Sequence, residues 1–437
     1  MAEFVVDSAA GDDANPGTPE DPVRTIGQAN RLAEASSDAT GRIILRPGVY
    51  ATPDEVLPIL IRPGYDLEGS GRDTTEIRIT GEVRQPDGTI SIYWRGTGVM
   101  VGRDLRNLTV RAQPAPNPEN TCHGVLGVHV LQGGSTIENV NIFAADLPED
   151  PRPSPPVALP RGFFTALYID ASDAICRDCR ISHSSQVLVS STRNTLIERM
   201  RLESGNMDIR GDVTVRNSEF VQEWVWGSGI VSPHHAVSIS GGSPTFGPDN
   251  YVDHGGRRSL IYCWGNSTPS ILRNTLVPFQ HSAGIHVRQG SVVRVIGNFL
   301  CDFVNIDLDA GAGSLFQDNF FHGYGAGPHL PTGRAVSERF RIEAPTDFGG
   351  GPAGSRGMNR FGPLSFRVPQ NWTIPAGGTI HAENCLWPEG GPGRMFRAGT
   401  GTIVSTAGAA TDDTNFLQGR EMYRASWRPR NDGFGRP

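Results

Sequence analysis

The sequence contains no lysine, so all 39 basic Lys or Arg positions among its 437 residues are arginines. Schiff-base chemistry, a P-loop phosphate site and a lysine general base are excluded, because each of them requires a lysine amine. The formal net charge is -7 and no stripe of basic residues occurs. Nucleic acid is therefore not expected as a partner.

Long apolar runs and closely spaced cysteines are also missing. No run of 18 apolar residues exists, and the first residues lack the charged and apolar regions of a signal peptide. We expect no membrane partner and a location that is extracellular or exposed on a cell or virion surface, with no signal peptide visible in this chain. The six cysteines are too sparse for a disulfide scaffold. On one extended strand Cys176 and Cys179 would lie about 10 Å apart, too far for a disulfide, so buried free thiols are predicted.

What the chain does contain is a repeat of about 21 to 25 residues. Each unit begins with a short strand in which one polar residue stands between two apolar ones, as in Leu167-Tyr-Ile169 and Ile285-His-Val287. A second short strand ends at Asn or Asp, as in Ile137-Glu-Asn139, and a third apolar stretch commonly follows. The 54 glycines and 33 prolines leave little room for long helices.

Three-strand coils of this kind bury their apolar faces by stacking about 4.8 Å apart. The repeat therefore predicts an all-β protein, a right-handed parallel β-helix of about 10 or more coils. The Asn or Asp at each corner is expected to bond its neighbours and to adopt left-handed backbone. A leucine-rich repeat fits the period, but the fixed leucines and helical segments that it requires do not occur.

The opening of the chain resembles a known family. Val5–Thr18, Pro22–Ile26 and Ile43–Tyr50 look like the start of pectate-lyase-like parallel β-helix proteins of the DUF1565 type. The resemblance extends over about residues 4–325, more weakly over 360–410, and implies a short capping helix over Ile26–Ala35. The group contains lyases, glycosidases, epimerases, virion spikes and uncharacterised proteins, so it implies fold rather than function.

The domain organisation follows from the repeat. Residues 1–40 are predicted to cap the β-helix, residues 41–325 to form its coils, and residues 326–437 to add C-terminal coils and a looser, Gly- and Pro-rich tail of the same solenoid. Two interruptions, 144–163 and 221–235, are expected to form loops over the first sheet and to make the walls of a groove.

Polar residues that flank the buried apolar ones should form two outward columns on the first sheet. One column runs through His129, Tyr168, Leu188, Asp208, Ser238, Tyr262, His286 and Asp307. The other runs through Leu131, Asp170, Ser190, Arg210, Ser240, Trp264, Arg288 and Asp309. Six of these residues are expected within about 10 Å of one another: Tyr262, Trp264, His286, Arg288, Asp307 and Asp309. Asp208 and Arg210 are expected about 19 Å from Asp307, too far to share its reacting atom.

These residue types suit an acidic polysaccharide. Trp264 offers a face for a sugar ring, Arg288 can hold a uronate carboxylate, and His286 beside Asp307 can transfer protons. Tyr262 is an alternative base, and Asp307 with Asp309 is a carboxylate pair suited to hydrolysis. The loop residues Trp224, Trp226 and His235 are expected to bind substrate.

Lyase, epimerase and glycosidase chemistry stay open at this point. A non-catalytic reading also stands, in which the exposed polar face only confers solubility and the rod is a glycan-binding or structural scaffold like a phage spike. No cofactor or metal is predicted, and calcium has only the weak signal of Asp307-x-Asp309. Monomer and homotrimer are both compatible with the sequence.

Overall fold

The protein was analysed as a computed structural model. It describes residues 1–51, 53–56, 58–80, 97–113, 125–144, 164–182, 186–203, 205–221, 235–254, 259–278, 283–301, 304–322, 340–361, 379–386 and 402–405. The chain divides into two compact units. Unit 1 comprises Met1–Thr245 with His254–Arg257, and unit 2 comprises Phe246–Asp253 with Arg258–Pro437.

Near its N-terminus, after a first strand, unit 1 contains the capping helix α1 (Ile26–Ala35), which has the predicted bounds. The Thr25 hydroxyl accepts the backbone N–H of Gln28 at 3.1 Å, and the buried Glu55 carboxylate accepts the N–H groups of Ile26 and Gly27. These bonds satisfy amide groups that the first helical turn leaves unpaired. The buried face follows helical spacing: Ile26, Ala29, Asn30 and Ala33.

The remaining elements of unit 1 are short strands. They are β1 (Ala2–Val6), β2 (Gly41–Leu45), β3 (Gly48–Ala51), β4 (Ile59–Leu60), β5 (Tyr65–Gly69), β6 (Thr75–Thr80), β7 (Thr97–Val101), β8 (Leu105–Gln113), β9 (Val125–Val130), β10 (Thr136–Ala144), β11 (Phe164–Ile169), β12 (Ile175–Arg177), β13 (Arg180–Ser182), β14 (Gln186–Glu198), β15 (Arg201–Glu203), β16 (Asn206–Arg216), β17 (Glu219–Val221) and β18 (His235–Ser240).

The strands of unit 1 pair in parallel with the equivalent strand of the next coil. The first sheet contains β4, β7, β9, β11, β14, β16 and β18 in that order. The second runs from β1 through β2, β5, β8, β10 and β12 to β14 and β16. The third joins β3, β6, β8, β10, β13, β15 and β17. The longer strands take part in two sheets.

Side chains that point into the coils of unit 1 stack in columns. One such column on the second sheet consists of Ile43, Leu67, Leu105, Ile137, Cys176, Ile197 and Val215, all fully buried. Cys176 therefore occupies an apolar core position, and Cys179 is buried beside it. Both thiols are free, as predicted, and Cys263 and Cys385 are also buried and free.

Unit 2 continues with strands of the same kind. Strands β19 (Thr245–Phe246) and β20 (Tyr251–His254) lie at the division between the units, and unit 2 then contains β21 (Ser259–Trp264), β22 (Ser270–Leu272), β23 (Thr275–Pro278), β24 (Ala283–Val287), β25 (Arg294–Ile296), β26 (Phe299–Cys301), β27 (Val304–Ile306), β28 (Ser314–Gln317), β29 (Phe320–His322), β30 (Phe340–Ile342), β31 (Thr346–Gly349), β32 (Arg360–Phe361), β33 (Thr379–Ala382) and β34 (Thr402–Val404).

Unit 2 also forms three parallel sheets. The first contains β21, β24, β27 and β30. The second contains β22, β25, β28, β31, β33 and β34. The third contains β23, β26, β29 and β32. The prediction of an all-β right-handed parallel β-helix with an N-terminal capping helix is confirmed.

Buried asparagines stack at one corner of unit 2. Asn298 donates its backbone and side-chain N–H groups to the Asn319 side-chain oxygen at 3.0 and 3.1 Å, and Asn319 bonds Asn359 in the same way. Asn274 bonds Asn298 likewise. These four side chains are at most 3% exposed. Asn274 is a predicted corner residue, and it bonds its neighbour as expected; the other three asparagines were not singled out from the sequence.

The left-handed residue is a separate position. In unit 2 it directly precedes the ladder asparagine, as at Arg273 (φ 49°) and Asp318 (φ 54°). The prediction that Asn274 itself adopts left-handed backbone is wrong, because Arg273 takes that conformation and leaves Asn274 free to turn inward. For Asn139 and Asp178 in unit 1, with φ of 54° and 56°, the prediction is confirmed.

The predicted C-terminal region, residues 326–437, falls mostly outside the described residues. Within the described ranges, no helix is long and apolar enough to cross a membrane. The domain boundaries taken from the repeat stay a prediction.

Candidate active site

Tyr262 and His286 lie side by side on the first sheet of unit 2. Tyr262 stands in β21 between the buried Ile261 and Cys263, and His286 occupies the same place in β24. The strand register pairs the two residues directly. The ring of His286 meets the ring of Tyr262 edge to face, with centroids 5.3 Å apart. Alternation along the strand thus turns both rings away from the core.

A second outward position lies at the C-terminal end of each strand of the first sheet, two residues after the position of Tyr262 or His286. Trp264 is the last residue of β21, and Arg288 and Asp307 directly follow β24 and β27. The backbone N–H of Arg288 donates to Cys263 O at 3.0 Å, and that of Asp307 donates to Val287 O at 2.9 Å. The parallel hydrogen bonding therefore continues to these residues and holds them in adjacent coils.

Tight turns follow these positions and stack on one another. Gly290 has φ of 72°, and a Cβ placed on it would lie 2.0 Å from Asn266 Oδ1 in the neighbouring turn. Its N–H donates to Asp309 O at 2.6 Å, which ties the turn after β24 to the turn after β27. Only a glycine fits such a close approach at positive φ.

His286 is held by a carboxylate. Its Nε2 lies 3.0 Å from Asp307 Oδ2, and both side chains are 20% exposed. The pair is thus accessible from one side and fixed from the other. A carboxylate bound to one imidazole nitrogen selects the tautomer and leaves the other nitrogen for proton transfer.

Arg288 stands between the two aspartates and Tyr262. Its Nε lies 3.9 Å from Asp307 Oδ2 and its Nη2 lies 3.6 Å from Asp309 Oδ2. Arg288 also hydrogen-bonds the Tyr262 oxygen. That oxygen has the largest effect in raising the pKa of Arg288, and the carboxylates of Asp309 and Asp307 add to it. Its Nε is buried and makes no hydrogen bond within the part of the chain that the structure describes.

The structure corrects the predicted register of the last coil. Strand β27 runs over Val304–Ile306, so that Asn305, and not Asp307, pairs with His286. Asp307 lies beside Arg288, and Asp309 lies in the turn that follows. Leu308, expected in the core, is 67% exposed. Both Val304-Asn-Ile306 and Ile306-Asp-Leu308 have a polar residue between two apolar ones. The sequence pattern therefore fits either triplet as the strand, and the packing selects the first.

Six predicted residues are nevertheless brought together in unit 2: Tyr262, Trp264, His286, Arg288, Asp307 and Asp309. The Trp264 ring lies 6.5 Å from the Tyr262 ring at an interplanar angle of 25°. Trp224 and Trp226 lie outside the described residues, as does nearly all of the loop that was expected to cover the first sheet. His235 is half-buried at the start of β18 in unit 1, and its part in substrate binding stays a prediction.

Sequence reasoning missed Glu343. This residue follows β30, and its N–H donates to Ile306 O at 2.7 Å, so it lies in the coil next to Asp307. Its carboxylate accepts the Leu308 N–H at 3.1 Å. The spacing of the repeat did not reach it, because residues 323–339 interrupt the period.

Two predicted outward residues in unit 1 are buried instead. Leu188 is 6% exposed and Ser190 is 8% exposed. Leu188 lies in register between Tyr168 and Asp208 of the adjacent coils, whose side chains cover part of its surface. No group of three or more His, Cys, Asp or Glu with metal-site geometry occurs among the described residues.

Comparison with known proteins supports the family resemblance at the N-terminus. A family model described as a protein of unknown function, DUF1565, matches residues 9–107. The predicted DUF1565-type signature is thereby confirmed. No curated protein shows significant sequence similarity to the chain.

Solved structures with a similar fold include several carbohydrate-active enzymes. A rhamnogalacturonan lyase is 11% identical, with a TM-score of 0.49 over 73% of this chain and 87% of that one. The A-module of a mannuronan C-5 epimerase from Azotobacter vinelandii is 14% identical, with a TM-score of 0.43 over 89% and 95%. A DFA-IIIase from Arthrobacter chlorophenolicus A6, without its lid, is 14% identical, with a TM-score of 0.43 over 93% of each chain.

Proposed function

We propose that unit 2 acts on an acidic polysaccharide by removing the proton α to a uronate carboxylate. The observation that carries this proposal is the His286–Asp307 pair, 3.0 Å apart, beside Arg288. With Nε2 bound to Asp307, His286 Nδ1 is the nitrogen that takes the proton from sugar carbon C5.

Arg288 is placed to hold the uronate carboxylate. The Arg288 side chain is 39% exposed, so its guanidinium can donate to the carboxylate of a ligand from the accessible side. A cation at the carboxylate stabilises the negative charge that develops there as the C5 proton leaves. Trp264 and Tyr262 then offer aromatic surface to the sugar rings.

Elimination and epimerisation share this first step. In elimination the C5–H electron pair forms the C4–C5 double bond, the C4–O bond breaks, and the leaving oxygen takes a proton. In epimerisation a proton returns to the opposite face of C5. The Tyr262 hydroxyl, which is hydrogen-bonded to Arg288, is the proposed proton donor in both elimination and epimerisation.

The carboxylates of the site oppose the binding of an acidic sugar. Asp307, Asp309 and Glu343 outnumber Arg288, and Asp309 competes with a uronate for Nη2 at 3.6 Å. Replacement by Asp309→Asn is therefore expected to strengthen uronate binding about two- to fivefold, because one repulsive surface charge is removed. Inhibition by oligouronates of increasing length measures the change.

Hydrolysis is a second candidate, favoured by the position of Glu343 in the coil next to Asp307. Two carboxylates in adjacent coils can act as general acid and general base on a glycosidic bond. In that case Asp307→Asn and Glu343→Gln each abolish activity on a neutral glycan, and Arg288→Ala is tolerated. A loss of turnover in Asp309→Asn would support the carboxylate pair first predicted from the sequence.

The test is a panel of uronate-rich and neutral polysaccharides, with reducing ends and unsaturated products both recorded. His286→Ala is expected to lower kcat by a factor of about 10² to 10⁴ and to spare binding. Arg288→Ala is expected to lower kcat/KM on uronate polymers about tenfold to a hundredfold. Arg294→Ala, which removes another exposed arginine of unit 2, is the matched control and should change neither.

A wild-type protein that binds glycans and yields no product with any polymer of the panel would contradict catalysis. The non-catalytic scaffold would then be the better description. Unchanged melting temperatures in the three variants are required for either conclusion, since an outward arginine or histidine contributes little to the core.

A further inference from the structure

Unit 1 carries its own cluster of polar side chains on the first sheet, formed by residues that take no part in the site of unit 2. The register stacks His129 on Tyr168 and places Asp208 two coils further on, in register with Leu188. The His129 and Tyr168 rings are nearly parallel, with centroids 4.8 Å apart. Arg210 lies two residues beyond Asp208 and is exposed.

Asp208 is held in place without a cation. Its carboxylate accepts hydrogen bonds from the side chains of Gln186, Asn206 and Ser238, with Asn206 Nδ2 at 3.2 Å from Oδ1. Burial raises the pKa of Asp208, against the effect of these donors and of Arg210. Three neutral donors orient the carboxyl group, and within the described ranges no cation forms an ion pair with it.

Arg210 is the unusual member of the cluster. Three other arginines of unit 1 form ion pairs with a carboxylate two residues away along the chain: Arg78–Glu76 at 2.7 Å, Arg106–Asp104 at 2.6 Å and Arg201–Glu203 at 2.5 Å. Asp208 and Arg210 have the same spacing, and within the described ranges Arg210 has no carboxylate within 4.0 Å. The Asp208 carboxylate and the Arg210 guanidinium therefore do not form an ion pair.

Tyr168 supplies a further polar group near Arg210. Its hydroxyl hydrogen-bonds Ser190 and Asp170, and burial is the largest cause that raises its pKa. The positive charge of Arg210 acts on Tyr168 as well as on Asp208. His129 adds a ring nitrogen, Nε2, that is buried and has no hydrogen-bond partner among the described residues.

We infer that this cluster, Tyr168, Asp208 and Arg210 with His129 beside them, is a second saccharide site that binds a uronate. The unpaired Arg210 takes the carboxylate, and the oriented Asp208 accepts a sugar hydroxyl. A ligand with a carboxylate and hydroxyl groups on one ring can bind Arg210 and Asp208 at the same time. The two residues do not form this interaction with each other. The inference does not depend on the activity proposed for unit 2.

The experiment measures binding of trigalacturonate and trimannuronate by calorimetry, with their methyl esters as uncharged controls. It uses the full chain with Arg288→Ala, so that the site of unit 2 is weakened. This protein is expected to retain binding of at least one of the acids, and Arg210→Ala in the same background to lose tenfold or more in affinity. The methyl esters should bind tenfold more weakly than the acids.

Two further variants separate recognition from folding. Arg193→Ala removes another exposed arginine of unit 1 and should leave affinity unchanged. Tyr168→Phe keeps the ring that stacks on His129 and removes the hydroxyl, and it should weaken binding at an unchanged melting temperature. Equal affinities of Arg210→Ala and its parent, equal binding of acids and esters, or loss of all binding in Arg288→Ala would each overturn the second site.

The outcomes also distinguish the two sites. If Arg288→Ala alone removes all uronate binding, unit 2 keeps its proposed function and the site in unit 1 is rejected. If Arg210→Ala in an otherwise unchanged chain removes all binding and Arg288→Ala changes nothing, the uronate site lies in unit 1 and the role of Arg288 is rejected.

Discussion

Glu55, a single buried residue at the N-terminal cap, is expected to make the stability of the fold depend on pH. Its carboxylate is 4% exposed and accepts the N–H groups of Ile26 and Gly27 at 2.7 and 3.2 Å. Burial raises the pKa of Glu55 to about 7, although the two N–H donors act in the opposite direction. The folded protein therefore holds this proton at a pH where the unfolded chain has released it.

The sign of the pH dependence follows from that shift. Because the folded pKa lies above the unfolded value of about 4.3, stability from this group is complete below that value and is lost as pH rises to about 7. The loss amounts to roughly 3 to 4 kcal/mol once the pH is above both values. Thermal melts of wild type and Glu55→Gln at pH 5 and pH 8 measure it. The wild-type melting temperature should fall more than that of the variant, and parallel curves would contradict the assignment.

At the scale of the single residue, the sequence was most informative where side chains alternate. Tyr262 and His286 were placed correctly because each stands between two buried apolar residues. Asp307 was placed beside the wrong residue, because two alternating triplets overlap at Ile306. Arg210 was placed in an outward column, but its lack of an ion partner could not be predicted, since it depends on how Asp208 is bonded across coils.

The asparagine ladder of unit 2 is the element whose loss should be most costly. Asn298 donates to Asn319 Oδ1 from its backbone and side chain, and its side-chain N–H groups also reach Ile271 O and Ile296 O. Asn298→Ala leaves these buried acceptors without their donor, and an unfolding free energy lower by about 2 to 4 kcal/mol is expected.

Denaturant unfolding compares that variant with Asn305→Ala. Asn305 is only partly buried on the first sheet, and its replacement should lower the unfolding free energy by less than about 0.5 kcal/mol. Equal losses in the two variants would mean that the ladder contributes no more than an exposed asparagine.

The second sheet of unit 1 carries a different ladder, made of charges. In register with one another, successive coils alternate in sign through Arg106, Glu138, Arg177, Glu198 and Arg216. Glu138 and Arg177 approach to 2.8 Å, and Glu198 and Arg216 to 2.7 Å. Each of these residues directly precedes a left-handed residue such as Asn107 or Asn217. This pairing of a charge with the corner residue was visible in the sequence and would have set the coil register.

At the scale of the whole molecule, the period of the repeat was sufficient to predict the fold class, and the resemblance of the N-terminal segment to a known family implied the capping helix. The period does not predict positions that follow an insertion, because the insertion shifts the spacing of the repeat. Glu343 follows residues 323–339 and was missed for this reason. The groove drawn from the long loops stays a prediction, since Trp224 and Trp226 lie outside the described residues. Function follows from the site rather than from the fold, because β-helix proteins serve many activities.

The central claim is that His286 removes a proton from carbon C5 of a uronate. The most direct measurement is NMR of uronate polymers incubated with the protein in deuterated water, because it records both C5 deuterium and the C4–C5 double bond. Wild type is expected to produce one of these signals, and His286→Ala to reduce it by a factor of about 10² or more at an unchanged melting temperature. An equal signal from wild type and His286→Ala, or depolymerisation that leaves C5 hydrogen intact, would contradict the account.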